Sequence, residues 1–199
     1  MAVDLLIASL TDARREGDEA FASMAGLFGD LARALREAGE PVFHEPESVP
    51  AFERAASGAL LAEDLQAFAR MLESGELGSD RQASRIRPLC HATGAETDVA
   101  VVAVVPGPSP TAAVEVDAPP LRVILAGEPL RAALTALAGE LEVGLGSDGR
   151  PDGRSLDAVL TRNPESDRER ARLALVELLD ALSCSREAGS ALLLWPSPS

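Results

Sequence analysis

The stretch Asp98-Val-Ala-Val-Val-Ala-Val-Val105 (DVAVVAVV) decides the fold class. β-Branched residues dominate it, and their stiff side chains suit a pleated sheet better than a helix. It predicts the clearest strand of the chain. Two other apolar runs lie at opposite ends of the sequence, VDLLIASL at residues 3–10 and SALLLW at residues 190–195. Both read as strands, and their apolar character predicts that the two chain ends share one covered sheet. LRVILA at residues 121–126 adds another strand. A short strand is expected at residues 88–91, and an edge strand at residues 113–116 inside a Pro-rich loop over 106–120.

Four helices are expected around that sheet. Asp18 caps the first, where Phe21, Met24, Phe28, Leu31 and Leu35 recur at steps of three and four. Gly39 and Pro41 end it. Gly26 and Gly29 inside it each cost about 1 kcal/mol against Ala, and suit a close approach to a neighbouring element. The second helix covers residues 55–74, with Leu61, Leu65, Phe68 and Leu72 as its apolar stripe. Pro129 opens the third at a position where its missing N–H is harmless. Leu130, Leu134, Leu137 and Leu141 form its core face. Asn163 caps the last helix, Pro164 starts it, and Ala171, Leu175, Leu178 and Leu182 mark one face. Residues 79–87 read as a polar connection and residues 144–162 as a Gly-rich loop. The expectation is one globular domain over residues 1–199, of α/β (or α+β) class. Its single mixed sheet includes both termini and is covered by about four helices.

Composition narrows the function classes. The formal charge is −14 and all 18 basic residues are arginine. Nucleic acid and anionic lipid bind through neutralising cations, so neither is an expected partner. The absence of Lys and Tyr is read as codon bias of a GC-rich genome. The longest apolar run, residues 99–105, is far short of the roughly 20 residues that span a bilayer. No secretory signal is read at the N-terminus, and two cysteines make no disulfide framework. A reduced, cytoplasmic setting is the expectation.

Candidate chemistry is sparse. Gly144-Leu-Gly-Ser-Asp-Gly149 matches G-x-G-x-x-G in letters. A dinucleotide loop follows a strand and opens a helix, whereas this segment follows a helix, so a flexible turn is the preferred reading. The two histidines stand in Phe43-His-Glu-Pro-Glu-Ser48 and Leu89-Cys-His-Ala-Thr-Gly94. His44, Glu45, Glu47, Cys90 and His91 are the residues from which a site is most readily assembled. Pro46 forbids a zinc-binding helix at His44, and no other His lies nearby. Neighbouring positions on a strand face apart, which argues against a Cys90–His91 dyad and places Cys90 inward. No cofactor and no metal is expected. Arg81, Arg85 and Arg87 form a cluster that suits either a phosphate or solvent.

The His44-Glu-Pro-Glu47 turn, the Leu89-Cys-His91 segment and the Gly189 turn into an apolar C-terminal strand together resemble a group of small bacterial proteins with no assigned activity. The resemblance runs loosely along most of the chain and brings no catalytic residues with it. The relatives tend to carry aromatic residues in the second helix and just after the Cys-His pair, where this chain has ALLAED (59–64) and ATGAET (92–97).

These readings favour a non-enzymatic protein-interaction domain with a basic protein partner, in its specific form an immunity- or antitoxin-like protein. The alternatives are a small enzyme or ligand-binding protein with a site near His44, Cys90 and His91, and a subunit of a larger assembly.

Overall fold

The computed structural model describes residues 2–7, 10–41, 43, 59–91, 101–106, 113–116 and 121–196. Strands are β1 (Ala2–Ile7), β2 (Ala59–Leu61), β3 (Val101–Val105), β4 (Ala113–Val116), β5 (Leu121–Leu125) and β6 (Leu192–Pro196). Helices are α1 (Leu10–Glu16), α2 (Asp18–Glu37), α3 (Ala62–Ser74), α4 (Asp80–Cys90), α5 (Glu128–Glu140), α6 (Gly153–Leu160) and α7 (Asp167–Ala188). The strands form one mixed sheet in the order β2-β1-β6-β3-β5-β4. β3 and β5 run parallel and every other neighbouring pair is antiparallel. As expected, the strands from the two ends of the chain lie side by side, with Leu5 opposite Leu194.

The central strands β3, β5 and β6 are buried on both faces, and residue alternation assigns each face its own core. Val102 and Val104 of β3, Ile124 of β5 and Leu192 and Leu194 of β6 point toward α3–α7. Val101, Ala103 and Val105, with Leu121, Val123, Leu125 and Leu193, point the other way, onto Leu31, Ala34 and Leu35 of α2. Burial at every position of β3 and β5, apolar except for Arg122, is what a strand sandwiched between helix layers requires. The result is a three-layer α/β architecture.

Seven helices, rather than about four, are present among the described residues. The expected strand at residues 88–91 is instead the end of α4, which starts back in the stretch expected to be a polar connection. The capping box decides this: the Ser79 hydroxyl accepts from Gln82 N, and Gln82 Oε1 accepts from Ser79 N at 2.7 Å. Ala83, Ile86, Leu89 and Cys90 give α4 a buried face that carries it through Pro88. Pro88 removes one helical N–H, and the helix ends two residues later at Cys90.

The loop expected at residues 144–162 contains α6, capped by Asp152, whose Oδ1 accepts from Ser155 N at 2.8 Å. The last helix begins at Asp167 rather than Pro164, because Ser166 accepts from Glu169 N and outcompetes Asn163 as the cap. Residue 10 belongs to α1 and not to the first strand, and α3 starts only after the short strand β2. The edge strand at residues 113–116 is present as β4, paired antiparallel to β5. A Cβ placed at Gly26 or Gly29 meets no described atom within 4 Å, so the close approach suggested for those glycines is not seen.

Candidate functional site

Three places bring chemistry-bearing side chains together. The first is the end of α4. Cys90 is buried against the core below α3 and α4, and burial, reinforced by the Glu73 carboxylate, pushes its thiol up to about 12. A thiol held there stays protonated at neutral pH and is a packing group, not a nucleophile. His91 caps the helix and is half-buried. Successive helical residues point about 100° apart, so the two side chains diverge here as they would on a strand. His44, Glu45 and Glu47 lie outside the described residues. Cys184 sits on α7 with its sulfur 4.0 Å from Asp180 Oδ1, and both cysteines are free thiols.

The second place was not foreseen from the sequence. Asp64 at the start of α3 and Glu177 in the middle of α7 are carboxylates with almost no solvent contact. Arg162, just past α6, reaches both: Nη1 donates to Asp64 Oδ2 at 3.2 Å and Nη2 to Glu177 Oε1 at 2.8 Å. Arg170 Nη1 donates to Asp64 Oδ1 at 3.2 Å and also meets Glu63 at 3.1 Å. Burial raises the Asp64 carboxyl above its ordinary value, against the lowering pull of Arg162 and Arg170. One turn further along α7, buried Asp180 accepts from Arg150 Nε at 2.7 Å.

Buried carboxylates without such partners would cost several kcal/mol each, so these arginines are obligatory parts of the helix layer. They clamp α3 to α7, which make the most extensive helix contact of the molecule, and they fix the chain after α6 against both. The sequence carried a signal for this: LALVELLDAL at residues 173–182 is an apolar helical run interrupted by two acids. The charged residues at 165–172, read as ordinary surface charge, are partly structural as well. Arg168 and Arg172 donate to the Glu140 and Glu142 carbonyls at the end of α5, where a cation complements the helix dipole.

The third place is a cleft at the carboxyl ends of the parallel strands β3 and β5, beside Pro106 and Ala126. α5 and α7 form its walls and the turn over residues 144–149 its rim. Open α/β sheets usually place ligands at strand carboxyl ends. The turn is the G-x-G-x-x-G segment, and it is not a phosphate loop. It follows α5, and the next helix begins only at Gly153. Nor is it a loose turn: Gly146 N donates to Arg150 O at 2.8 Å, Gly149 N to Gly146 O at 3.0 Å, and Leu145 bridges to Pro151. Its glycines have steric reasons. A Cβ at Gly144 would run into the Asp152 carboxylate, and one at Gly146 would come 2.8 Å from Asp148 Oδ1.

Comparisons with protein-family models, with curated proteins and with solved structures give no match. The site is therefore read from its own geometry. Among the described residues no group of three or more His, Cys, Asp or Glu side chains is placed to hold a metal ion. No helix of the described residues is long and apolar enough to cross a membrane. Arg81, Arg85 and Arg87, expected on a loop, lie on α4.

Proposed function

We propose that this chain is a non-enzymatic protein-interaction domain that receives a basic partner protein on an anionic surface, with an immunity- or antitoxin-like protein as its specific form. One observation carries the reading: arginines of the helix layer are spent on its buried acids, while exposed carboxylates stand without an ion pair. Arg150, Arg162 and Arg170 are committed to Asp180, Asp64 and Glu177. Exposed Glu73, Asp80 and Glu142 form no ion pair among the described residues. A net charge of −14 is thus expressed at the surface. Such a field accelerates encounter with a cationic partner and repels anionic ones.

The test is affinity capture from an extract of the organism itself at low salt, followed by elution along a salt gradient and mass spectrometry. The reading expects a basic protein captured in stoichiometric amount, with an affinity that falls steeply as salt rises. Capture of no protein, or of an acidic one insensitive to salt, would overturn it. The rival reading of a nucleophilic site near His44, Cys90 and His91 gains nothing from Cys90, whose thiol is buried and held protonated.

A further inference from the structure

The cleft at the carboxyl ends of β3 and β5 is not used by the surface reading above, and it has a definite chemistry. Its walls are apolar: Leu130 and Leu134 from α5 face Leu179 and Leu182 from α7. Its mouth carries two guanidinium groups, Arg131 and Arg186. Each is steadied by a backbone carbonyl, and Arg131 also makes an exposed i,i+3 pair with Glu128 at 3.1 Å, which a competing carboxylate can replace at little cost. Arg131 Nη1 donates to Ala126 O at 3.0 Å and Arg186 Nη2 to Asp148 O at 2.9 Å. A carbonyl orients a guanidinium without neutralising its charge. The one carboxylate in the lining, Asp148, is occupied by its own turn, where Oδ1 accepts from Arg150 N at 3.0 Å. Elsewhere in the helix layer arginines close onto buried acids; here two stand at an apolar opening.

We propose that this cleft binds a short aliphatic carboxylate, with its hydrocarbon tail between the α5 and α7 leucines and its carboxylate at Arg131 and Arg186. Size fits the assignment. The cavity holds about 90 Å³. At roughly 30 Å³ per water that is the space of about three waters, enough for a short hydrocarbon tail and too little for a nucleotide. The polarity fits as well, because planar guanidinium forks match carboxylate geometry. The class includes free short-chain acids and excludes amines and alcohols of the same length, which bring no carboxylate to the two guanidinium groups.

The experiment follows leucine methyl resonances of the full chain during titration with sodium butyrate, with n-butylamine and 1-butanol as length-matched controls. The expected result is saturable shifts of the Leu130, Leu134, Leu179 and Leu182 methyls by butyrate. A ligand of so few atoms should bind with a dissociation constant in the roughly millimolar range. Arg186→Gln should weaken binding about tenfold, as expected for loss of one charge-assisted contact. Leu182→Phe, which fills the cleft between the α5 and α7 leucines, should abolish it. Methyl spectra otherwise unchanged report that both variants are folded. Absence of saturable shifts at tens of millimolar, equal shifts with butylamine, or shifts confined to methyls outside the cleft would each overturn the assignment.

Discussion

The two faces of the sheet are covered in different ways. Against one lies the long helix α2, whose buried contact is made of Leu31, Ala34 and Leu35, with Met24, Leu27 and Phe28 partly buried beside them. Against the other lie five helices, and that layer buries Asp64, Glu177 and Asp180 as well as its apolar core. The first arrangement needs only a stripe of apolar residues, because the outer half of α2 stays in water. The second surrounds α7 on almost every side, so acids in its sequence cannot reach solvent and must be met by cations brought to them. Arginine suits that task, since one guanidinium bridges two carboxylates and is never deprotonated. The α2 layer is stable through volume, and the α3–α7 layer through volume and matched charge.

This difference can be broken from either side. The largest effect is expected for Arg162→Ala, which removes the cation shared by Asp64 and Glu177 and leaves Asp64 to Arg170. Breaking a buried pair in this way costs about 3–5 kcal/mol, measured by urea unfolding at pH 7. The cost should shrink on acidification. Asp64 has a folded pKa raised above its ordinary 3.8, so between those two values the folded state holds a proton the unfolded chain has released. The contribution of Asp64 to stability therefore rises as pH falls through that window. Loss of Arg162 raises its pKa further and widens the window.

Leu35→Ala is the matching cut on the other face. It creates a cavity under a fully buried side chain and should cost about 2–4 kcal/mol. Its cost should not change between pH 4 and pH 7 in the same unfolding assay. A pH-dependent cost at Leu35 would blur the contrast between the layers.

Gly144→Ala tests the turn that supports the helix layer. The added methyl meets the Asp152 carboxylate, which caps α6, and the displacement should cost about 1–3 kcal/mol, read as a lowered midpoint of thermal melting. Asp30→Ala, on the solvent side of α2, removes only an exposed i,i+3 pair with Arg33. It should change stability by less than about 0.5 kcal/mol, and the change should vanish in high salt.

Much of the fold was legible in the sequence, for physical reasons that also explain what was missed. Strands buried on both faces leave nearly continuous apolar runs, so β3, β5 and β6 could be read directly, as could the largely apolar β1 and the stripes of α2 and α5. α4 and α6 were hidden because their turns are built from Arg, Ser, Asp and Gly, with Pro88 inside one and Gly153 at the start of the other. The overlooked signals were caps: Ser79-Asp-Arg-Gln82 and Ser166-Asp-Arg-Glu169 are both capping patterns. The ion clusters were hidden because Asp64 and Arg162 are far apart in sequence, and a polar residue on a helix shows its burial only when the facing helix is known. Glu177 and Asp180 were the exceptions, marked by the apolar run around them. The cleft was not legible, since it forms where strand ends, α5, α7 and a turn converge.

The central claim is that α7 holds its buried acids with the layer's own arginines. A double-mutant cycle between Arg162→Ala and Glu177→Gln, followed by urea unfolding, tests it most directly. A coupled pair predicts a double mutant less destabilised than the sum of the singles, with an interaction energy of about 2 kcal/mol. Effects that add to within about 0.5 kcal/mol would mean that the two side chains do not act on one another, and the account of the helix layer would fail.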